Sequence, residues 1–463
     1  MIRGGAGALV VGLAVFMAGP PRVLAQEPTQ GVDVPVITLE EARARALGMN
    51  PGIRQSTNNL ELNAIERREA WLGLLPQPSI TVLSTNMSWQ RQTLAEDNFG
   101  EPLEREIVET VQTSRSNQGA ALSFNFNFND ILRIRDQRTQ AELRTSTSRE
   151  QEHTLLADVA LAYFDVQEQA SALALEEELV ASAREARDVA LRLYSLGRRE
   201  RTDVLSAELD VAERESQLED LRSELEGRRL DLRTVMGDPD VGPFQVEEAD
   251  PRVFDPTVLD EEALLAEALA SSPRIREARL QLEVADRSVT MARAEWLPTL
   301  TLNLNTNRQE FLRSGDAFFQ VAPDGQWSRN VSLGISLPDP GQYFNRQNSS
   351  RTRQISLENQ AESMRQVELE LDRDVRSQLS SLRSAHRSVE LQTRRVELAE
   401  ENLEESLESY RLGRTDFLQL QSASEQAAQA RRQELQTRFQ FQRIRIQLER
   451  VLGTPLQVPE EGS

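Results

Sequence analysis

The chain holds two histidines, His153 and His386, which stand 233 residues apart (153 to 386). Neither has a second histidine at metal-ligand spacing, so each is read as a solvated residue on a helix. Cysteine is absent. That removes thiolate nucleophiles, thiolate metal sites and disulfides, and also an acylated cysteine after signal cleavage. The Gly4-Gly5-Ala6-Gly7 run follows no strand, so it does not make a phosphate-cradling loop. Asp and Glu number 74, and an acid–base pair chosen from such a crowd would carry no information. No catalytic residue, cofactor or metal is expected. A formal net charge of −21 also argues against nucleic acid, which needs a basic face.

The pattern that does repeat is structural. Tyr194-Ser195-Leu196-Gly197-Arg198 returns as Tyr410-Arg411-Leu412-Gly413-Arg414, an offset of 216 residues (194 to 410). The same offset carries Asp158-Val159 onto Asp374-Val375, and Ser206-Ala207 onto Ser422-Ala423. It also carries Val235-Met236-Gly237-Asp238-Pro239 onto Val451-Leu452-Gly453-Thr454-Pro455. Two copies of one unit are implied. In each, a long helical pattern runs into Tyr-x-Leu-Gly, breaks and restarts, so Gly197 and Gly413 are expected to turn helical hairpins.

The elements around these turns follow from periodicity. Thr38 and Glu41 fit a capping box for a short helix to about Met49, and Pro51 opens a second helix to about Leu74. Ser272-Pro273 repeats that junction at an offset of 222 (51 to 273). After Leu75-Pro76 and Leu297-Pro298 the period changes to two. Ile80 and Val82, then Leu122, Phe124, Phe126 and Phe128, form one expected hairpin. Leu300, Leu302 and Leu304, with Val331, Leu333, Ile335 and Leu337, form the other. Their partners are Ser, Asn and Thr. Such strands either pack on helices or face lipid on one side and water on the other, and hydrophobicity leaves both open.

Helices from about 131 to 196 and 342 to 412 contain no proline and no glycine in the first copy, and apolar residues recur every seven. Val159, Val166, Leu173 and Val180 form one series; Val375, Leu382, Val389, Val396, Leu403 and Tyr410 form the other. Heptads mean coiled-coil packing with the returning helices, about 204–236 and 420–452. A globular domain cannot bury rods of this length. Arg3, the apolar run from Ala8 to Ala18, and Val23-Leu24-Ala25 read as a signal peptide over 1–25. The first repeat then covers 26–237 and an acidic, proline-rich linker 238–258. The second repeat covers 259–453, and a tail follows over 454–463. Between Asp238 and Glu262 nine acids accompany one base, Arg252, and the segment reads as solvated.

With the duplication, Asn50-Pro51, Ser272-Pro273, Trp71-Leu72-Gly73-Leu74-Leu75-Pro76 and Thr202-Asp203-Val204-Leu205-Ser206-Ala207 after the first glycine, the chain resembles the TolC-like outer-membrane efflux proteins. The resemblance covers about Ile37 to Gly453. It implies a mainly α fold with a small β part. Long coiled-coil hairpins would form a periplasmic α-barrel, and four strands per chain would enter one outer-membrane β-barrel shared by a homotrimer. It implies export of small molecules or proteins together with a periplasmic adaptor and an inner-membrane transporter. By the same resemblance, Tyr410 and Asp203 occupy positions that hold the periplasmic entrance closed, in a gate region with Thr202, Ser206, Gln419 and Ser422. Gln419 and Ser422 stand where well-known members carry an acidic ring, and Thr415 stands where some carry a gate arginine. Leu196, Gly197, Arg198, Leu412, Gly413 and Arg414 fall where family adaptors dock. A periplasmic coiled-coil scaffold or adaptor without a pore is the competing function.

Overall fold

The computed structural model describes residues 35–96, 102–240, 242–247, 251–312 and 325–456. The signal segment and most of the tail lie outside the described residues. The first repeat begins with β1 (Val36–Ile37), α1 (Leu39–Met49) and α2 (Pro51–Leu72). Thr38 Oγ1 accepts the Glu41 amide at 3.2 Å, as a capping box requires. Asn50 ends α1 and caps α2, its Oδ1 accepting the Gly52 amide at 2.8 Å. The hairpin β2 (Gln77–Glu96) and β3 (Pro102–Phe126) leads into α3 (Phe128–Ser195) and α4 (Arg201–Met236). After β4 (Gln245–Val246) the plan repeats. It runs through α5 (Glu261–Ser271), α6 (Pro273–Ala294), β5 (Thr299–Leu312), β6 (Gln326–Ser336), α7 (Tyr343–Arg411) and α8 (Phe417–Leu452).

Helices α3 and α7, of 68 and 69 residues, are rods of roughly 100 Å at ~1.5 Å per residue. Their heptad residues bury Val159, Tyr163 and Val166 against Leu225, Leu232 and Met236 of α4. In the second repeat Leu371, Val375, Leu379 and Leu382 meet Phe441, Ile444, Leu448 and Leu452 of α8. The seam between the hairpins, α3 against α8, holds a small apolar cluster of Ala157, Ala160 and Ile446 and is otherwise strongly charged. Arg443 pairs with Asp165 at 2.9 Å and Arg450 with Asp158 at 3.4 Å. Arg432 meets Glu176, a carboxylate only 1% exposed that also faces Arg214 at 3.7 Å.

A belt of short elements covers one face of the rods. β1 pairs in parallel with β4, and the Tyr163 hydroxyl donates to the Ile37 carbonyl at 3.0 Å while accepting the Glu247 amide at 3.2 Å. The acidic segment therefore departs from the expected solvated linker. Phe244, Val246, Pro256 and Leu259 are buried, because its apolar residues close the hydrophobic surface the heptads leave uncovered.

The four long strands form one antiparallel sheet in the order β2-β3-β5-β6. The first two are longer than the alternation implied, at 20 and 25 residues, since polar stretches without alternation continue the ladder. Two strand assignments are corrected. Phe128 is the first residue of α3, which Asn127 caps by accepting the Asn129 amide at 3.0 Å, and Leu337 lies beyond the end of β6. Register sorts the faces. Phe124 pairs with Leu302 and that with Leu333; Phe126, Leu300 and Ile335 form the next row, and Leu122, Leu304 and Val331 another. Directly opposed residues share a face, so these rows make one continuous apolar surface. Ser123, Asn303 and Ser332, then Asn125, Thr301 and Gly334, occupy the reverse. A bulge between Thr81 and Ser84 shifts β2 by one residue and brings Thr85, Met87 and Trp89 to the face that holds Ile80.

Candidate functional site

Both hairpin tips close with the same backbone device. The Arg198 amide donates to the Leu193 carbonyl at 3.0 Å, and the Gly197 amide to Tyr194 at 2.9 Å. Arg414 donates to Ser409 at 2.9 Å and Gly413 to Tyr410 at 3.0 Å. These are Schellman caps, which need a left-handed residue; Gly197 and Gly413 have φ of 68° and 75°. A Cβ at either glycine would meet nothing within 4 Å, so only backbone conformation demands glycine there. The tips stand open to solvent: Leu196 is 70% exposed and Leu412 57%, with Arg198 and Arg414 beside them.

Just behind the tips the two repeats meet. Tyr410 is fully buried among Ala190, Val204, Ala207, Phe417 and Leu420, with its ring 5.8 Å from that of Phe417. The guanidinium of Arg199 lies over the Tyr410 ring, 4.7 Å from its centroid, a cation–π arrangement. The same guanidinium approaches Asp203 at 3.9 Å and donates to the Tyr410 carbonyl at 3.5 Å and to the Thr415 carbonyl. The Tyr410 hydroxyl has no hydrogen-bond partner among the described residues. Burial pushes its pKa above the ordinary tyrosine value, and the Asp203 carboxylate adds to the rise while Arg199 opposes it. Tyr410 and Asp203 are thus neighbours, joined through Arg199.

Arg199 is the residue the sequence reading passed over. It stands two positions after the first glycine, and Thr415 stands two after the second, so the 216-residue offset pairs the residues that touch. That correspondence was the available signal. Thr202 lies at the start of α4 with its hydroxyl 3.4 Å from Glu200, and Ser206 is half-buried one turn on. Gln419 and Ser422 are exposed on α8, and the Gln419 amide donates to the capping Asp416 carboxylate at 3.0 Å. His153 is exposed, and His386 is half-buried with its ring 6.3 Å from that of Phe441. Among the described residues no group of His, Cys, Asp and Glu is arranged to hold a metal ion.

A channel-forming architecture, with rods below and an amphipathic sheet above, is what these elements make. The model of the outer membrane efflux protein family matches residues 44–238 and 264–454, and the chain belongs to that family. No curated protein matches it by sequence. Among solved structures it resembles VceC of Vibrio cholerae, with a TM-score of 0.70 and 14% identity over 90% of this chain and 97% of that one. The CmeC channel of Campylobacter jejuni matches with a TM-score of 0.71 and 13% identity, over 91% and 87% of the two chains. The open state of the Neisseria gonorrhoeae MtrE channel matches with 0.68 and 17%, over 90% and 89%. The protein is an outer-membrane efflux channel with helices in the periplasm. Its family and fold are those of channels rather than enzymes.

Proposed function

We propose that three copies pool their sheets into one twelve-stranded barrel and their rods into one tunnel, forming the exit duct of an efflux pump. The observation that carries this reading is the four-stranded sheet, whose two edges are unpaired among the described residues, with its register-matched apolar face. Ile80 and Val82 on β2, and Val331, Leu333 and Ile335 on β6, are 68–78% exposed in the single chain. Exposed edges and apolar rows of this kind are stable only when paired or covered. Four strands cannot close a barrel, whereas twelve strands facing lipid outside and water inside can. Aromatic rings at the lower rim support the same placement. Phe126 packs on Phe128 with centroids 5.6 Å apart, and Trp296 on Tyr343 at 5.3 Å, as at a membrane–water interface.

In this reading the Tyr410–Arg199–Asp203 cluster, flanked by Thr202, Ser206, Gln419 and Ser422, holds the periplasmic entrance closed. The tips, Leu196-Gly197-Arg198 and Leu412-Gly413-Arg414, receive a periplasmic adaptor that connects the duct to an inner-membrane transporter. Exposed leucines beside arginines on a rigid turn suit such docking. Conductance across a planar lipid bilayer tests the reading. Discrete steps from a water-filled pore are expected, and a silent bilayer with stably inserted protein would refute it. Gly413→Leu is expected to abolish efflux while assembly survives; loss of assembly as well would remove the docking assignment.

A further inference from the structure

A groove of about 900 Å³ runs between α2, α3 and α6, and arginines dominate its charge. Arg67, Arg138, Arg149, Arg276 and Arg279 line it, with Glu142 the one acid among its lining residues. Glu142 is held by Arg138 at 3.3 Å, and the other four arginines make no ion pair among the described residues. This basic strip sits on a chain whose net charge is −21.

The heptads show which way the groove faces. Arg138 and Thr145 continue the seven-residue series of Val159 and Val166, and Glu142 and Arg149 continue that of Tyr163. Val159, Tyr163 and Val166 bury beneath the belt of α1, β1 and β4. In the trimeric tunnel proposed above, on which this inference rests, a wall that carries a belt on one face leaves only the other face to bound the hole. The groove therefore opens outward, between the belt and the membrane. Arg138 and Arg149 lie 10 and 21 residues into α3 from Phe128 (128 to 138 and 149), or ~15–30 Å below the sheet.

We propose that this groove seats the carboxylate-bearing glycan of the cell wall. Rods that descend from the outer membrane pass through that mesh, whose sugar-linked peptides present carboxylates at regular intervals. Guanidinium forks match carboxylates, and an open trough suits an extended polymer better than a compact ligand.

The full-length protein in detergent, mixed with purified peptidoglycan sacculi, provides the test. Co-sedimentation at low salt is expected. It should fall roughly tenfold in a variant carrying R67Q, R149Q, R276Q and R279Q, and equally when sacculus carboxylates are amidated. Bilayer conductance of that variant should match the wild type, since these side chains face away from the pore, and this shows that it is folded. The chain contains no lysine, so Arg279→Lys adds the first side-chain amine. Sacculi pre-activated with carbodiimide should capture this variant and spare Arg353→Lys on α7, outside the groove. Wild-type protein that stays in the supernatant would overturn the proposal. So would retention unchanged by amidation or by the four substitutions, or a difference between variant and wild type that appears on phosphatidylglycerol vesicles instead.

Discussion

Tyr410 is buried with its hydroxyl unpartnered, while its ring carries the Arg199 guanidinium. If the closed tip depends on the ring, Tyr410→Phe should leave conductance within error of wild type and raise thermal stability slightly. Leaving a hydroxyl buried without a hydrogen bond costs free energy, so removing it relieves that cost. Arg199→Ala removes the cation–π contact, the Asp203 pair and the bond to Thr415 together. It should raise closed-state leakage, read as single-channel conductance or as uptake of a large antibiotic. The reverse ranking, with Tyr410→Phe leaking and Arg199→Ala tight, would place the latch on a direct Tyr410–Asp203 bond. The glycines and Tyr410 were legible in the sequence because the duplication marks them, and Asp203 only through the family resemblance. Arg199 was not, because an arginine in the run Arg198-Arg199-Glu200-Arg201 has no local signature, and only the cross-repeat contact distinguishes it.

At the scale of the element, the four left-handed glycines among the described residues, Gly197, Gly237, Gly413 and Gly453, divide by what surrounds them. A Cβ on Gly237 would come within 2.7 Å of Asn50 Cα and 2.8 Å of Pro51 Cδ, and one on Gly453 within 2.7 Å of Pro273 Cδ. Each junction proline thus packs on the glycine that ends the returning helix, and Asn50 Nδ2 ties it further to the Val235 carbonyl at 2.8 Å. Gly197→Ala, in open space, should cost about 1–2 kcal/mol from backbone strain alone. Gly237→Ala adds a clash and should cost more, which thermal melts of the two variants compare directly. The motifs Asn50-Pro51 and Gly237-Asp238 were both readable, but their contact was not, since nothing local links positions 187 residues apart (50 to 237).

A second element-scale effect depends on pH. Glu150 on α3 is hydrogen-bonded to Glu277 on α6, and burial together with that acid raises its pKa to about 7 against opposing Arg274 and Arg450. A raised acid favours the protonated form in the folded state. Stability from this site is therefore present at low pH and lost as pH climbs from the unfolded value of 4.5 through about 7. Glu150→Gln should raise the melting temperature at pH 8 and leave it unchanged at pH 4. An equal shift at both values would show that the pair does not titrate in this range.

For the whole molecule, period and repeat gave the architecture: twin hairpins, matched caps and strands that alternate on one face. Lengths were less accessible. The polar upper halves of β2 and β3 carry no alternation, and the belt over 238–258 looked solvated because its acids outnumber its buried apolar residues. What neither repeat could state is how many chains complete the duct. Among the described residues both sheet edges are unpaired, and four strands enclose nothing, so the account stands or falls on subunit number. Native mass spectrometry of the detergent-extracted protein measures it directly. Three polypeptides per complex are predicted, and a stable complex holding a single polypeptide would contradict the account.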